Sequence, residues 1–185
     1  ETIHWFRTRS EQVPVKAPAT LRIENLEKGQ TLDGLLEDGR LEAVAVTSPP
    51  QSFQSGSPHV RRLFPNAREV EAEYYRRTKI FPIMHLVVLR RAIYDKDRSI
   101  ATALTKAFQK AKQQAYDRLE ERLSPIPWMN LDLEYAQQAM GADLFSYGVK
   151  MNLPTLEAAA LYSYEQGLTE RKFAVSELFA PETLD

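Results

Sequence analysis

Cysteine is absent from these 185 residues, which excludes disulfides, thiolate nucleophiles and cysteine-based zinc or iron–sulfur sites while leaving the compartment open. An excess of charge is lacking too. With 24 basic against 25 acidic side chains the net charge is -1, so nothing in the total favours nucleic acid, an anionic membrane or a polycationic partner. Any electrostatic specificity must be local. Glycine is scarce, at 7, and neither GxGxxG nor GxxxxGK[ST] occurs, so a phosphate-cradling loop has little raw material. No apolar run approaches the ~20 residues that span a bilayer. The histidines stand at positions 4, 59 and 85 without HxH or HExxH spacing, and a serine-nucleophile elbow is missing, so no metal or hydrolase motif is present. What remains is an ordinary globular balance, 43% hydrophobic and 26% charged, enough for one core or one and a half lobes.

The pattern along the chain predicts an α/β half followed by a helical half. Thr2–Phe6 reads as a half-buried strand with no leader or N-terminal cap before it, as expected of a fragment that starts in mid-fold. Leu21–Asn25 alternates as a short strand, Thr31 caps a brief helix, and Gly39 ends that helix in a left-handed turn. Leu41–Val46 reads as a strand that opens into a loop at Thr47-Ser48-Pro49-Pro50, since two prolines forbid further ladder hydrogen bonding. Strand, helix and strand at this spacing predict a βαβ unit, with ligands gathering beyond the strand ends at 47–53. Asn66 and Glu69 open a helix reaching Thr78, with Glu73 and Arg77 paired. Ile80–Leu89 is nearly all apolar and reads as a strand buried on both faces. A stripe of Ile100, Leu104, Phe108, Ala111, Ala115 and Leu119 predicts a helix over 97–123, roughly 40 Å long, stopped by Pro125 and Pro127. Asn130 to Gly141 and Pro154 to Gly167 bracket two more helices, Ser176 caps Glu177–Phe179, and the terminal APETL reads as docked.

Chemistry concentrates in Pro58–His85, which holds two of the three histidines, two Arg-Arg pairs and a Tyr-Tyr pair. His59 precedes Arg61-Arg62 in a loop, where an imidazole can exchange a proton near neutral pH and paired guanidinium groups can fork a carboxylate. A solvated loop histidine and a solvated arginine pair are the plain alternatives. His85 and His4 both read as satisfied core histidines unless their rings face a cleft. Arg76-Arg77 fit a solvated helix face. Basic residues are not interleaved with aromatics along an exposed strand, as an RNA-binding face would require.

The segments PHVRRLFP (Pro58–Pro65), YYRRTKIFPIMH (Tyr74–His85), YEQGL (Tyr164–Leu168) and ELFAPETL (Glu177–Leu184) resemble the 4,5-dihydroxyphthalate decarboxylase family, itself similar in fold to type 2 periplasmic binding proteins. The resemblance runs over nearly all of the chain and implies roughly the C-terminal half of such a protein. It implies a two-lobed α/β fold seen in part: residues 1–80 from the second lobe, 81–90 as a strand recrossing the hinge, and 91–185 as mainly helical chain packing on the first lobe. It implies a carboxy-lyase acting on a small hydroxylated aromatic acid between the lobes, for which no organic cofactor is strictly necessary; from the histidine spacing no metal is expected unless the fold alone assembles a site. Arg61 and Arg62 would clamp carboxylate, His59 and His85 would serve as acid and base, and Arg7, Thr47 and Ser48 would contact the ligand from strand ends. Ser48 is neutral where a second clamp would call for a cation. A cytoplasmic location goes with an enzyme. The same fold also serves solute-binding proteins of ABC-type transporters, which capture a carboxylated or aromatic ligand without chemistry and carry a leader to the periplasm. The sequence leaves oligomerisation open.

Overall fold

The computed structural model describes residues 3–8, 17–120 and 126–185, which divide into two compact units. Among them is a single two-stranded sheet, and the remaining elements are helical.

The first unit comprises residues 1–67 with 166–168. Strand β1 (His4–Arg7) pairs in parallel with β2 (Arg22–Asn25), His4 opposite Arg22 and Arg7 opposite Asn25, matching the two strands expected there. The Leu26 amide donates to the Arg7 carbonyl and prolongs the ladder by one bond. Helix α1 (Leu32–Glu37) starts as the sequence dictates: Thr31 is extended, and its hydroxyl accepts from the Gly34 amide at 3.0 Å. It also ends as expected, because Gly39 takes φ +70° and lets the Arg40 amide reach back to the Leu35 carbonyl. Leu35 and Leu41 are buried beside this turn. Leu41–Val46, however, is not a strand, so the expected βαβ unit is not formed. A short apolar run becomes a strand only when a neighbouring ladder takes up its amides and carbonyls, and the described residues supply none there. The chain instead runs irregularly to a single helical turn, α2 (Gln51–Gln54).

The second unit holds residues 68–165 and 169–185. Its helices are α3 (Ala67–Thr78), α4 (Arg91–Tyr94), α5 (Ser99–Glu120), α6 (Met129–Met140), α7 (Leu153–Glu165) and α8 (Val175–Leu178). Helix α3 keeps its expected span, but Glu73 pairs with Arg76 while Arg77 lies over the Tyr74 ring. Helix α5 carries the predicted stripe, begun by Asp97, which accepts from the Ser99 amide and hydroxyl. The stop expected near Leu123 and Pro125 lies outside the described residues. Gly141 ends α6 as predicted, whereas Asn130 sits within the helix and Trp128, at φ +64°, occupies the cap position. Likewise α8 starts from Ala174 rather than Ser176; the Glu177 carboxylate accepts from the Ala174 amide, and two Arg171 nitrogens bind it. Val149, Leu156 and Val175 form the local core, with Phe179 and Leu184 packed against it. The tail is docked as expected: the Tyr94 hydroxyl donates to Glu182 at 2.7 Å.

Ile80–Leu89 departs most from expectation. It is irregular and pairs with no strand, and most of it is exposed rather than buried, with Met84 78% and Val88 86% accessible. No described helix is long and apolar enough to cross a membrane.

Candidate functional site

The first unit carries six of the seven residues expected at a ligand site, and its geometry starts from Asp33 on α1. That carboxylate accepts from the Ser52 amide and, through a very short contact, from the Ser52 hydroxyl, and Ser52 is buried. Asp33 thereby supplies the acceptor that the first turn of α2 needs, since Pro50 at the cap position has no side chain able to bond the backbone. The Thr47-Ser48-Pro49-Pro50 loop is thus held at its C-terminal end. Thr47 and Ser48 themselves are exposed, in a loop rather than at the end of a strand.

Beyond α2 the chain turns at Gly56, where φ is +78°, and enters the basic segment. The Ser57 hydroxyl accepts from the His59 amide at 3.3 Å, while the His59 side chain is exposed. Arg61 and Arg62 are exposed as well, and neither forms an ion pair among the described residues. The Arg62 guanidinium lies 5.1 Å from the centroid of the Phe53 ring. That cation–π contact brings one member of the arginine pair back onto α2, the turn that follows the loop of Thr47 and Ser48. Both guanidinium groups remain free to take a carboxylate. Arg7, at the end of β1, donates from Nε to Asn25 Oδ1 at 3.0 Å.

His4 is partly buried, not a core residue: its Nε2 stands 3.1 Å from Glu24 Oε1 and its ring tilts against Phe6. Arg22 donates to the same carboxylate at 3.0 Å and, with His4 nearby, holds Glu24 below the usual carboxylate range. His85 belongs to the second unit, and its burial in a strand is overturned, because it sits on the unpaired Ile80–Leu89 run and is exposed. Among the described residues no group of His, Asp and Glu is arranged to hold a metal ion.

The most organised polar cluster was not foreseen. Lys112, whose side chain is 10% exposed, bonds both oxygens of Asp143 at 2.7–2.8 Å and the Phe145 carbonyl at 3.1 Å, and it faces the Tyr147 ring at 4.8 Å. The Tyr116 hydroxyl accepts from the Phe145 amide nearby. The one available signal was spacing, since Lys112 falls four residues after Phe108 beside the apolar stripe of α5. Its satisfied bonds make it a clasp rather than a reactive amine. A shallow depression of about 380 Å³ on α6, lined by Glu134, Gln137, Gln138 and Ala142, contains none of the expected residues.

No family model matches the chain. Against curated proteins it is 32% identical over 192 residues to a 4,5-dihydroxyphthalate decarboxylase of Comamonas testosteroni, an alignment covering 99% of this chain. The chain is a relative of the 4,5-dihydroxyphthalate decarboxylases. A protein of the same name from Pseudomonas putida is 34% identical over 68 residues, 37% of this chain. The chain spans 58% of the length of the first relative, and the second match covers 26% of its protein.

Proposed function

We propose that this chain is part of a decarboxylase for a small hydroxylated aromatic acid, built as two lobes in the manner of type 2 periplasmic binding proteins. The observation that carries the reading is the 32% identity sustained over 99% of the chain to a protein of that name. Both relatives carry a decarboxylase name, which favours chemistry over capture by a transport receptor.

In this reading Arg61 and Arg62 grip substrate carboxylate, a role suited to exposed guanidinium groups with no ion pair among the described residues. One imidazole takes a phenolic proton so that charge feeds into the ring, and the other delivers a proton to the ring carbon that bears the leaving carboxylate. The carbon–carbon bond then breaks, its electron pair stays with the ring, and carbon dioxide departs. His59 and His85 fill these roles, and Arg7, Thr47 and Ser48 contact the ligand. Residues 81–90 recross between lobes, with 1–80 in one and 91–185 packing on the other.

Substrates are identified by screening hydroxylated aromatic acids for a thermal shift on the full-length protein and assaying each hit for carbon dioxide release. Arg61→Ala should raise the substrate Kd about 10-fold or more, the equivalent of a charge-assisted hydrogen bond of ~1.5–3 kcal/mol; unchanged binding by calorimetry removes Arg61 from the clamp. His59→Gln should retain binding and lose turnover. Release of carbon dioxide at the wild-type rate would end its assigned role.

A further inference from the structure

Arg62 is held in place while, among the described residues, no oxygen occupies its donors. Arg7, Arg22, Arg68, Arg76 and Arg171 each donate to a side-chain oxygen. Arg62 instead reaches back across the Gly56 turn to the Phe53 ring, its Cζ 5.1 Å from the centroid, inside the ~6 Å over which a cation is drawn to a ring face. A phenyl ring offers no oxygen or nitrogen to accept a hydrogen bond, so the contact fixes where the guanidinium sits and leaves its N–H groups for an anion. The ring is itself anchored. Its neighbour Ser52 is buried and donates both its amide, at 3.2 Å, and its hydroxyl to Asp33 Oδ1. The Ser52 carbonyl accepts from the Ser57 amide at 3.0 Å and the Ser55 hydroxyl at 3.1 Å, and the Phe53 carbonyl accepts from the Gly56 amide at 3.2 Å. Helix α1 thus fixes the turn of α2, α2 fixes the half-buried Phe53, and Phe53 seats Arg62. Arg61 is exposed and has neither a ring contact nor an ion pair among the described residues.

We propose that Phe53 is a positioning residue for Arg62: it orients that guanidinium in advance for the carboxylate of an aromatic acid, so that Arg62 is the fixed jaw of the arginine clamp and Arg61 the mobile one. A free arginine surrenders rotamer freedom when it grips an anion, whereas a seated one has surrendered much of it already, so the seat strengthens binding without touching the ligand. The attraction needs a π face. Leucine at position 53 keeps apolar bulk but removes the seat, and tyrosine keeps a ring of the same size. The inference rests on the clamp reading given above to Arg61 and Arg62 but not on the roles of His59 and His85.

The test has two arms on the full-length protein. In NMR spectra the Arg62 side-chain protons should lie upfield of those of Arg61, because they sit over a ring face; Phe53→Leu should abolish the difference and Phe53→Tyr should keep it. Calorimetry with two probes, 3,4-dihydroxybenzoate and 4,5-dihydroxyphthalate, reads the consequence. Phe53→Leu should raise Kd about two- to fivefold, the equivalent of an exposed cation–π contact, and Phe53→Tyr should stay within about 1.5-fold of wild type. In an Arg62→Met background Phe53→Leu should change Kd by less than about 1.5-fold, since its effect runs through Arg62. Wild-type Arg62 protons at the Arg61 position overturn the seat, and that spectrum decides the point even should Phe53→Leu fold poorly. A Phe53→Leu Kd equal to wild type, or the same loss with and without Arg62, overturns the positioning role. Neither probe bound by wild-type protein whose Arg62 protons are shifted would sink the clamp reading and the proposal with it while leaving the seat in place, so the two failures are told apart.

Discussion

At the scale of single residues, Glu177 holds the last helical turn together. Its carboxylate accepts from the Ala174 amide and from two nitrogens of Arg171, which itself lies against the Phe173 ring. The hydrogen bonds from Arg171, then that from Ala174, lower its pKa from 4.5 to about 2. A carboxyl whose folded pKa is depressed contributes stability that is complete above the unfolded value and fades as pH falls through the folded one. The window here is therefore about pH 4.5 down to 2. An NMR titration of the Glu177 side-chain carbon should show a midpoint near 2, and Glu177→Gln should remove the acid sensitivity of α8 in that window; a midpoint near 4 would show the pair to be loose in solution. Single residues were legible where the local chemistry had one outcome. Thr31 and Gly39 began and ended α1 as read because an extended hydroxyl and a left-handed glycine have few other uses there. Asn130 and Ser176 were misread as caps because good capping residues also fit inside a helix once a neighbour takes the terminus, Trp128 in one case and Ala174 with Glu177 in the other.

At the scale of elements, helices were read well, and strands only where a ladder forms between β1 and β2, for a physical reason. A helix closes its hydrogen bonds within itself, so α3, α5 and α7 followed from periodicity and from punctuation by proline and glycine. A strand needs a partner elsewhere, and neither Leu41–Val46 nor Ile80–Leu89 has one among the described residues. The candidate site suffered similarly, since its residue types were evident while the placement of Thr47 and Ser48 depended on a strand that is not formed. What locks α5 to the turn beyond α6 is also testable. Lys112 fastens α5 to the 143–145 turn through Asp143 and the Phe145 carbonyl. Lys112→Met keeps the stem and removes these charge-assisted bonds, so it should cost about 1.5–3 kcal/mol. Urea melts of both proteins, with m unchanged, measure that difference; a loss under 0.5 kcal/mol would mean that water replaces the clasp.

For the molecule as a whole, the shortage of interior is the governing property. The buried apolar residues among those described are few and mostly small, including Ala72, Ala101 and Ala160, and no large side chain is fully enclosed. The denaturant slope m scales with surface newly exposed on unfolding. The isolated chain should accordingly give a urea m in the lower part of the roughly 1–3 kcal/mol/M range of small proteins, and a value at the top of that range would show a larger interior than these few small side chains form. Composition alone foretold a globular chain. It did not foretell how much of the apolar complement stays outside, because 43% hydrophobic content fits a finished core and a partial one equally.

One detail sets how the exposed apolar run is held. The apolar run is pinned at both ends, by the Phe81 amide on the Thr155 hydroxyl and by the Arg90 carbonyl, which starts α4. Between these anchors the backbone of 83–89 makes no hydrogen bond among the described residues, so the run is held from its ends alone. Amides held only from the ends open to water before those of a closed helix, so this run should be the first part of its unit to exchange deuterium.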